Sequence, residues 1–174
     1  IIIVTYKNVD LTQLCLEKLL KNTTYPNYEI IVVDNDSRDG TANYLQYMEE
    51  RYENIKVIIN SNNRGFAAAN NQGLTIATGE YLVLLNNDTV TPRGWLAPLL
   101  THLKEKEIGL VGPVTNFVGN EAKINVPYST LDEMEHFATQ HMRQYEGKIF
   151  DIKVLAMFCV AMRRDVYEMT GPLD

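Results

Sequence analysis

Cysteine is scarce: Cys15 and Cys159 are the only two in 174 residues, with no C-x-x-C pair and no histidine partner nearby. A disulfide scaffold, a zinc module and a dithiol redox centre are therefore excluded on spacing, and both thiols read as buried and reduced. Long apolar stretches are missing too. The longest run, Val154 to Met162, is nine residues, against about 20 for a bilayer span, and no basic-then-apolar leader opens the chain. Positive charge is in deficit, with 16 Lys and Arg against 22 Asp and Glu for a net charge of -6. That is the wrong sign for holding nucleic acid by bulk electrostatics, so any anionic ligand must be bound locally. Ten Gly and six Pro are too few for a collagen-like or disordered chain. Neither G-x-G-x-x-G nor G-x-x-x-x-G-K-S/T occurs, which removes dinucleotide redox chemistry and P-loop hydrolysis.

What remains is an ordinary folding composition, 45% hydrophobic and 22% charged, long enough for about one domain. The chain opens on Ile1-Ile2-Ile3-Val4 without Met and stops at Gly171-Pro172-Leu173-Asp174; the expectation is an excised piece of something longer. β-branched runs alternate with helical periodicity: Ile1 to Thr5, then Leu11, Leu14, Cys15 and Leu19 behind an Asp10/Gln13 cap; Tyr28 to Asp34, then Thr41 to Tyr52; Ile55 to Asn60, then Phe66 to Thr78; Tyr81 to Leu85, then Trp95 to Lys106. Strands apolar on both faces belong in a parallel sheet covered by helices on each side, so the first hundred residues predict doubly wound α/β. Beyond strand-like Ile108 to Val114 the rhythm changes. Thr115 to Tyr128 predicts an irregular or strand-like excursion, Leu131 to Gln144 a polar helix, Ile152 to Met162 a long strand, and Asp165 to Glu168 a short helix closed by Gly171-Pro172.

In an open parallel sheet, ligands bind beyond the carboxyl ends of the strands. Here those ends are polar: Thr5-Tyr6, Asp34-Asn35-Asp36-Ser37, Asn62-Asn63-Arg64-Gly65 and Asn86-Asn87-Asp88-Thr89. Asp88, emerging at a strand end, suits a divalent cation shared with substrate phosphates and water; the competing reading is a cap for Thr91-Pro92. Asp34 can accept the imide or amide N–H of a base, favouring uracil, thymine or guanine over adenine, or can close an Asx-turn. Arg64 precedes a helix start at Gly65, where backbone N–H groups favour an anion. Asn70 and Asn71 lie early in the next helix, in reach of a ligand or a neighbouring loop. Asp39 and Gly40 build a turn and cap the second helix. His102, His136 and His141 read as surface or packing residues, Trp95 as core, and Asp132-Glu133-Glu135 as a solvated helix face.

Taken together, Ile1-Ile2-Ile3-Val4-Thr5-Tyr6-Lys7-Asn8, Ile30-Ile31-Val32-Val33-Asp34-Asn35-Asp36-Ser37-Arg38-Asp39-Gly40-Thr41, Asn63-Arg64-Gly65-Phe66-Ala67-Ala68-Ala69-Asn70 and Gly79-Glu80-Tyr81-Leu82-Val83-Leu84-Leu85-Asn86-Asn87-Asp88 resemble the inverting family 2 glycosyltransferases. The resemblance implies an α/β GT-A fold, a mostly parallel sheet with helices on both faces. It implies one GT-A-like domain over 1–174, truncated at the carboxyl end, with 1–114 the nucleotide-binding half and 115–174 the start of the acceptor-side half. Thr5, Tyr6 and Asp34 would hold the base, with Asp36, Asn63, Arg64, Asn70, Asn86 and Asn87 completing the donor site. Asp88 would be the metal ligand for Mg or Mn, at the last position of the family's D-x-D motif. Asn86 departs from that motif, as in a rhamnosyltransferase-like branch. Asp174, opening the acidic segment from which the family draws its base, is the candidate catalytic base.

The implied partners are a nucleoside diphosphate sugar, UDP- or dTDP-linked, and a saccharide or lipid-linked saccharide acceptor, as in cell-wall or polysaccharide synthesis. No nucleic acid and no membrane span are expected. The expected address is cytoplasmic, with peripheral contact at the inner face of the membrane as its variant. Two alternatives stay open: a module that binds nucleotide sugar without turnover, and a sugar nucleotidyltransferase, ranked lower because Thr5-Tyr6-Lys7-Asn8 lacks the glycine-rich loop of that class.

Overall fold

The computed structural model describes residues 1–174. Four βα units come first: β1 (Ile2–Thr5), α1 (Val9–Asn22), β2 (Ile30–Asp34), α2 (Thr41–Arg51), β3 (Ile55–Ile59), α3 (Phe66–Ile76), β4 (Tyr81–Asn86) and α4 (Leu96–His102). They are followed by β5 (Leu110–Val111), α5 (Leu131–Gln144), β6 (Cys159–Arg163) and α6 (Arg164–Thr170). One six-stranded sheet runs β3-β2-β1-β4-β6-β5. β1 to β4 are parallel, while β6 lies antiparallel to both neighbours, with Leu85 opposite Cys159 and Val111 opposite Ala161.

Alternation along the strands explains the layers, because successive side chains point to opposite faces. Ile3, Val32, Val83 and Leu85 meet Cys15, Leu16 and Leu19 of α1, Leu45 and Met48 of α2, and Leu96, Leu99 and Leu100 of α4. Ile2, Ile31, Val33, Leu82 and Leu84 meet Ala69 and Leu74 of α3, with Tyr167 of α6 at the margin. Each fully buried Ile or Leu contributes roughly 1.5–3 kcal/mol to this sandwich. Trp95 is core, as expected, and its Nε1 donates to Thr23 Oγ1 at 3.0 Å.

Three elements differ from the sequence reading. α1 is not capped by Asp10: it starts behind Asn8, whose backbone is left-handed, and the Val9 N–H is accepted by Asp39 Oδ2 of the neighbouring loop at 3.3 Å. The strand expected over Ile152 to Met162 begins only at Cys159, and Val154 is exposed. Pairing with β4 sets that boundary, because the apolar residues before it have no strand beside them. The acidic face of α5 is only partly solvated: Glu133 forms a capping box with Thr130, and Glu135 accepts from the Arg93 backbone at 2.8 Å.

Candidate functional site

Strand order turns back on itself between β1 and β4, which places the crevice of an open sheet over the ends of those two strands. Thr5 and Asp34 are register partners, and Val4 pairs with Asn86. Three of the four polar clusters therefore lie side by side on adjoining strand ends, and the Asn60–Gly65 loop completes the row beyond β2.

Asp34 is fully buried. Its Oδ1 accepts from the Ser37 backbone at 3.2 Å, so the Asx-turn forms, but its Oδ2 is buried with no partner. Burial pushes this carboxyl above the usual range; hydrogen bonding from Ser37 opposes the rise, and the charges of Asp39 and Asp36 add to it. Around it, Lys7, Asn8 and Asp36 all have positive φ, a cost of about 1–2 kcal/mol for a non-glycine residue that gathers at functional sites. The Lys7 N–H donates to Ser37 Oγ at 2.6 Å and ties the first two loops together. Asp36 pairs with Arg38 at 3.3 Å, and Tyr6 is exposed.

Asn35, absent from the sequence-derived site, is the hub of the third loop. Its Oδ1 accepts from the Arg64 backbone at 2.9 Å and from Asn60 Nδ2 at 3.1 Å, while its Nδ2 donates to Asn63 Oδ1 at 2.9 Å. Asn63 also accepts from the Gly65 backbone at 2.9 Å, so its carbonyl is engaged within the loop. The Arg64 side chain is left exposed at the start of α3. Asn70 is buried and turned back to Phe66 O at 2.9 Å. Its neighbour Asn71 does the reaching: Nδ2 donates to Leu173 O at 2.7 Å and Oδ1 accepts from Leu173 N at 2.9 Å, which holds the segment leading to Asp174 against α3.

At the end of β4, Thr89 N–H donates to Asn86 O at 3.2 Å and closes a turn over 86–89. Asn87 points inward: Nδ2 donates to Thr5 Oγ1 at 3.2 Å and to Thr12 Oγ1 at 3.0 Å. Thr5 is fully buried, its hydroxyl 2.8 Å from that of Thr12. Thr12 carried no signal in the sequence, where a threonine in an amphipathic helix looks like packing. Asp88 is exposed and forms no salt bridge. No group of three His, Cys, Asp or Glu side chains comes together to hold an ion. The donor set therefore fits a hard divalent cation in one way, with Asp88 as one oxygen ligand among phosphate oxygens and water. Burial pushes the thiols of Cys15 and Cys159 up to about 12, so neither is a nucleophile. No helix is long and apolar enough to cross a membrane.

Fold and crevice together define a GT-A domain. The mannosyltransferase PcManGT from Pyrobaculum calidifontis, solved in complex with GDP-Man and Mn2+, matches with a TM-score of 0.73 and 23% identity over 98% of this chain and 46% of that one. GalNAc-T7 with UDP, GalNAc and Mn2+ matches with a TM-score of 0.74 and 16% identity over 98% of this chain and 35% of its own. The chain belongs to glycosyl transferase family 2, whose model matches residues 1–170. Glycosyltransferase AglE of Haloferax volcanii is 28% identical over 99% of this chain and 54% of its own length. Poly(ribitol-phosphate) beta-glucosyltransferase of Bacillus spizizenii is 38% identical over 51% of this chain and 14% of its own length. This chain thus spans about half, or less, of the proteins it matches.

Proposed function

We propose that this chain is the donor-binding part of a glycosyltransferase that moves a sugar, with inversion, from a nucleoside diphosphate sugar to a hydroxyl of a saccharide or lipid-linked saccharide. One observation carries the reading: the Oδ2 of Asp34, buried and unpartnered at the strand end beside the crevice. An orphaned buried acceptor costs about 1–3 kcal/mol, which the imide N–H of uracil or thymine or the ring amide N–H of guanine would offset. Adenine offers no such group. UDP- and dTDP-sugars are favoured, and a GDP-sugar satisfies the same carboxylate.

Residues 1–114 supply the nucleotide side and 115–174 begin the acceptor side. Asp88 would hold Mg or Mn jointly with the diphosphate; the bound ion supplies positive charge against the departing phosphates. The Arg64 side chain and the backbone N–H groups of the first turn of α3 would add positive charge for the anion. The acceptor oxygen attacks the anomeric carbon, the bond from that carbon to the phosphate oxygen breaks, and the acceptor proton passes to a carboxylate. Asp174, which follows the Leu173 backbone held by Asn71, is the candidate for that base. The name of the Bacillus spizizenii relative, a poly(ribitol-phosphate) beta-glucosyltransferase, supports polysaccharide or cell-wall synthesis as the setting.

Calorimetric titration with UDP, dTDP, GDP and ADP, each with and without Mn, tests the proposal. Metal-enhanced binding of UDP, dTDP or GDP, lost in Asp88→Asn, is the expected result. Equal binding of ADP, or no binding at all, would overturn it.

A further inference from the structure

Three side chains below the crevice form a polar knot in an otherwise apolar setting. Thr12 lies in the first half of α1, fully buried. A helical threonine commonly bonds the carbonyl of its own preceding turn, yet this hydroxyl reaches out of its helix to Thr5 Oγ1 on β1 at 2.8 Å and to Asn87 Nδ2 after β4 at 3.0 Å. The same amide nitrogen also donates to Thr5 Oγ1, at 3.2 Å. Asn87 stands between Asn86, whose carbonyl closes the turn with the Thr89 N–H, and Asp88, which projects into solvent. Asn87 and Asp88 are the two central residues of that turn, so the grip on the Asn87 amide fixes the stretch of backbone that carries Asp88.

We propose that Thr12 is a positioning residue of the donor site: with Thr5 it grips the Asn87 amide and thereby sets the turn from which Asp88 meets the metal-diphosphate. The inference rests on the donor-site reading above. It assigns the inward orientation of Asn87 a purpose, and it couples the strand end beside the base site to the strand end at the phosphates through one hydroxyl.

The test is calorimetry of UDP with Mn and with EDTA on the wild type, Thr12→Val, Thr12→Ser and Asn87→Ala, with thermal unfolding of each. In Thr12→Val the gain in affinity on adding Mn should fall by about tenfold, the worth of one buried hydrogen bond, while affinity in EDTA is unchanged. Thr12→Ser, which keeps the hydroxyl, should restore the gain. If Thr12→Val does not fold, Asn87→Ala should lower the Mn gain in the same way, whatever its affinity in EDTA, because it leaves the two threonine hydroxyls bonded to each other. A Mn gain equal to the wild type in either variant would overturn the proposal. So would a parallel fall in both conditions, which is what a merely structural threonine gives. A wild type with no Mn gain overturns the donor-site reading itself, and this inference with it.

Discussion

An ionised carboxylate removed from water and given one hydrogen bond instead of several is destabilised, relative to its protonated form, by comparison with the same group in water. Asp34 is in that position, and its raised pKa means that the folded chain binds this proton more tightly than the unfolded chain does. Its charge therefore costs stability at neutral pH, and the cost is relieved as pH falls through the raised value and vanishes below about 4, the ordinary carboxylate range. Asp34→Asn should melt higher than the wild type at pH 7, with the difference closing near pH 4, as read by thermal unfolding at both. The same variant should bind nucleoside diphosphate more weakly, since a neutral amide oxygen is a poorer acceptor than a charged one. A variant no more stable at pH 7 would mean that the carboxylate is already satisfied. The places of Asp34 and Asp88 at strand ends were legible in the sequence because each follows an apolar run. Asn35 and Thr12 were not, because their partners lie at Arg64, Asn63, Thr5 and Asn87, and nothing local marks such long-range pairings.

Among the elements, α3 packs directly against β1 at Gly73. A methyl group on Gly73 would stand 2.5 Å from Ile2 Cγ2, so the missing side chain sets how near this helix lies to β1. Gly73→Ala should destabilise the chain by about 1–3 kcal/mol, the usual cost of overpacking, measured by urea unfolding. A neutral or stabilising result would show that the helix can move outward freely. The parallel half was readable because β1, β2 and β4 are apolar on both faces and each is followed by a periodic helix. The later elements were less so. Val154 to Met162 is one apolar run by composition, yet only Cys159 onward has a strand on either side. Direction is equally silent: an apolar strand packed between two others looks the same parallel or antiparallel.

For the molecule as a whole, the two thiols report on unfolding. Both are buried, one on α1 beside the Asn86 carbonyl at 3.7 Å and one on β6. A thiol reagent at neutral pH should modify Cys15 and Cys159 together, at the rate of global opening, and UDP with Mn should slow both in proportion to their binding. Selective, ligand-independent labelling of one would show that its element opens alone. The sheet carries a further consequence for synthesis. β5 has no neighbour but β6, and β4 has only β1 on one side until residues 159–163 arrive. On a ribosome, the parallel half can therefore fold around β1 with β4 as a raw margin. The chain must stay unaggregated for more than seventy residues of further elongation before a single antiparallel strand seals that margin and recruits β5.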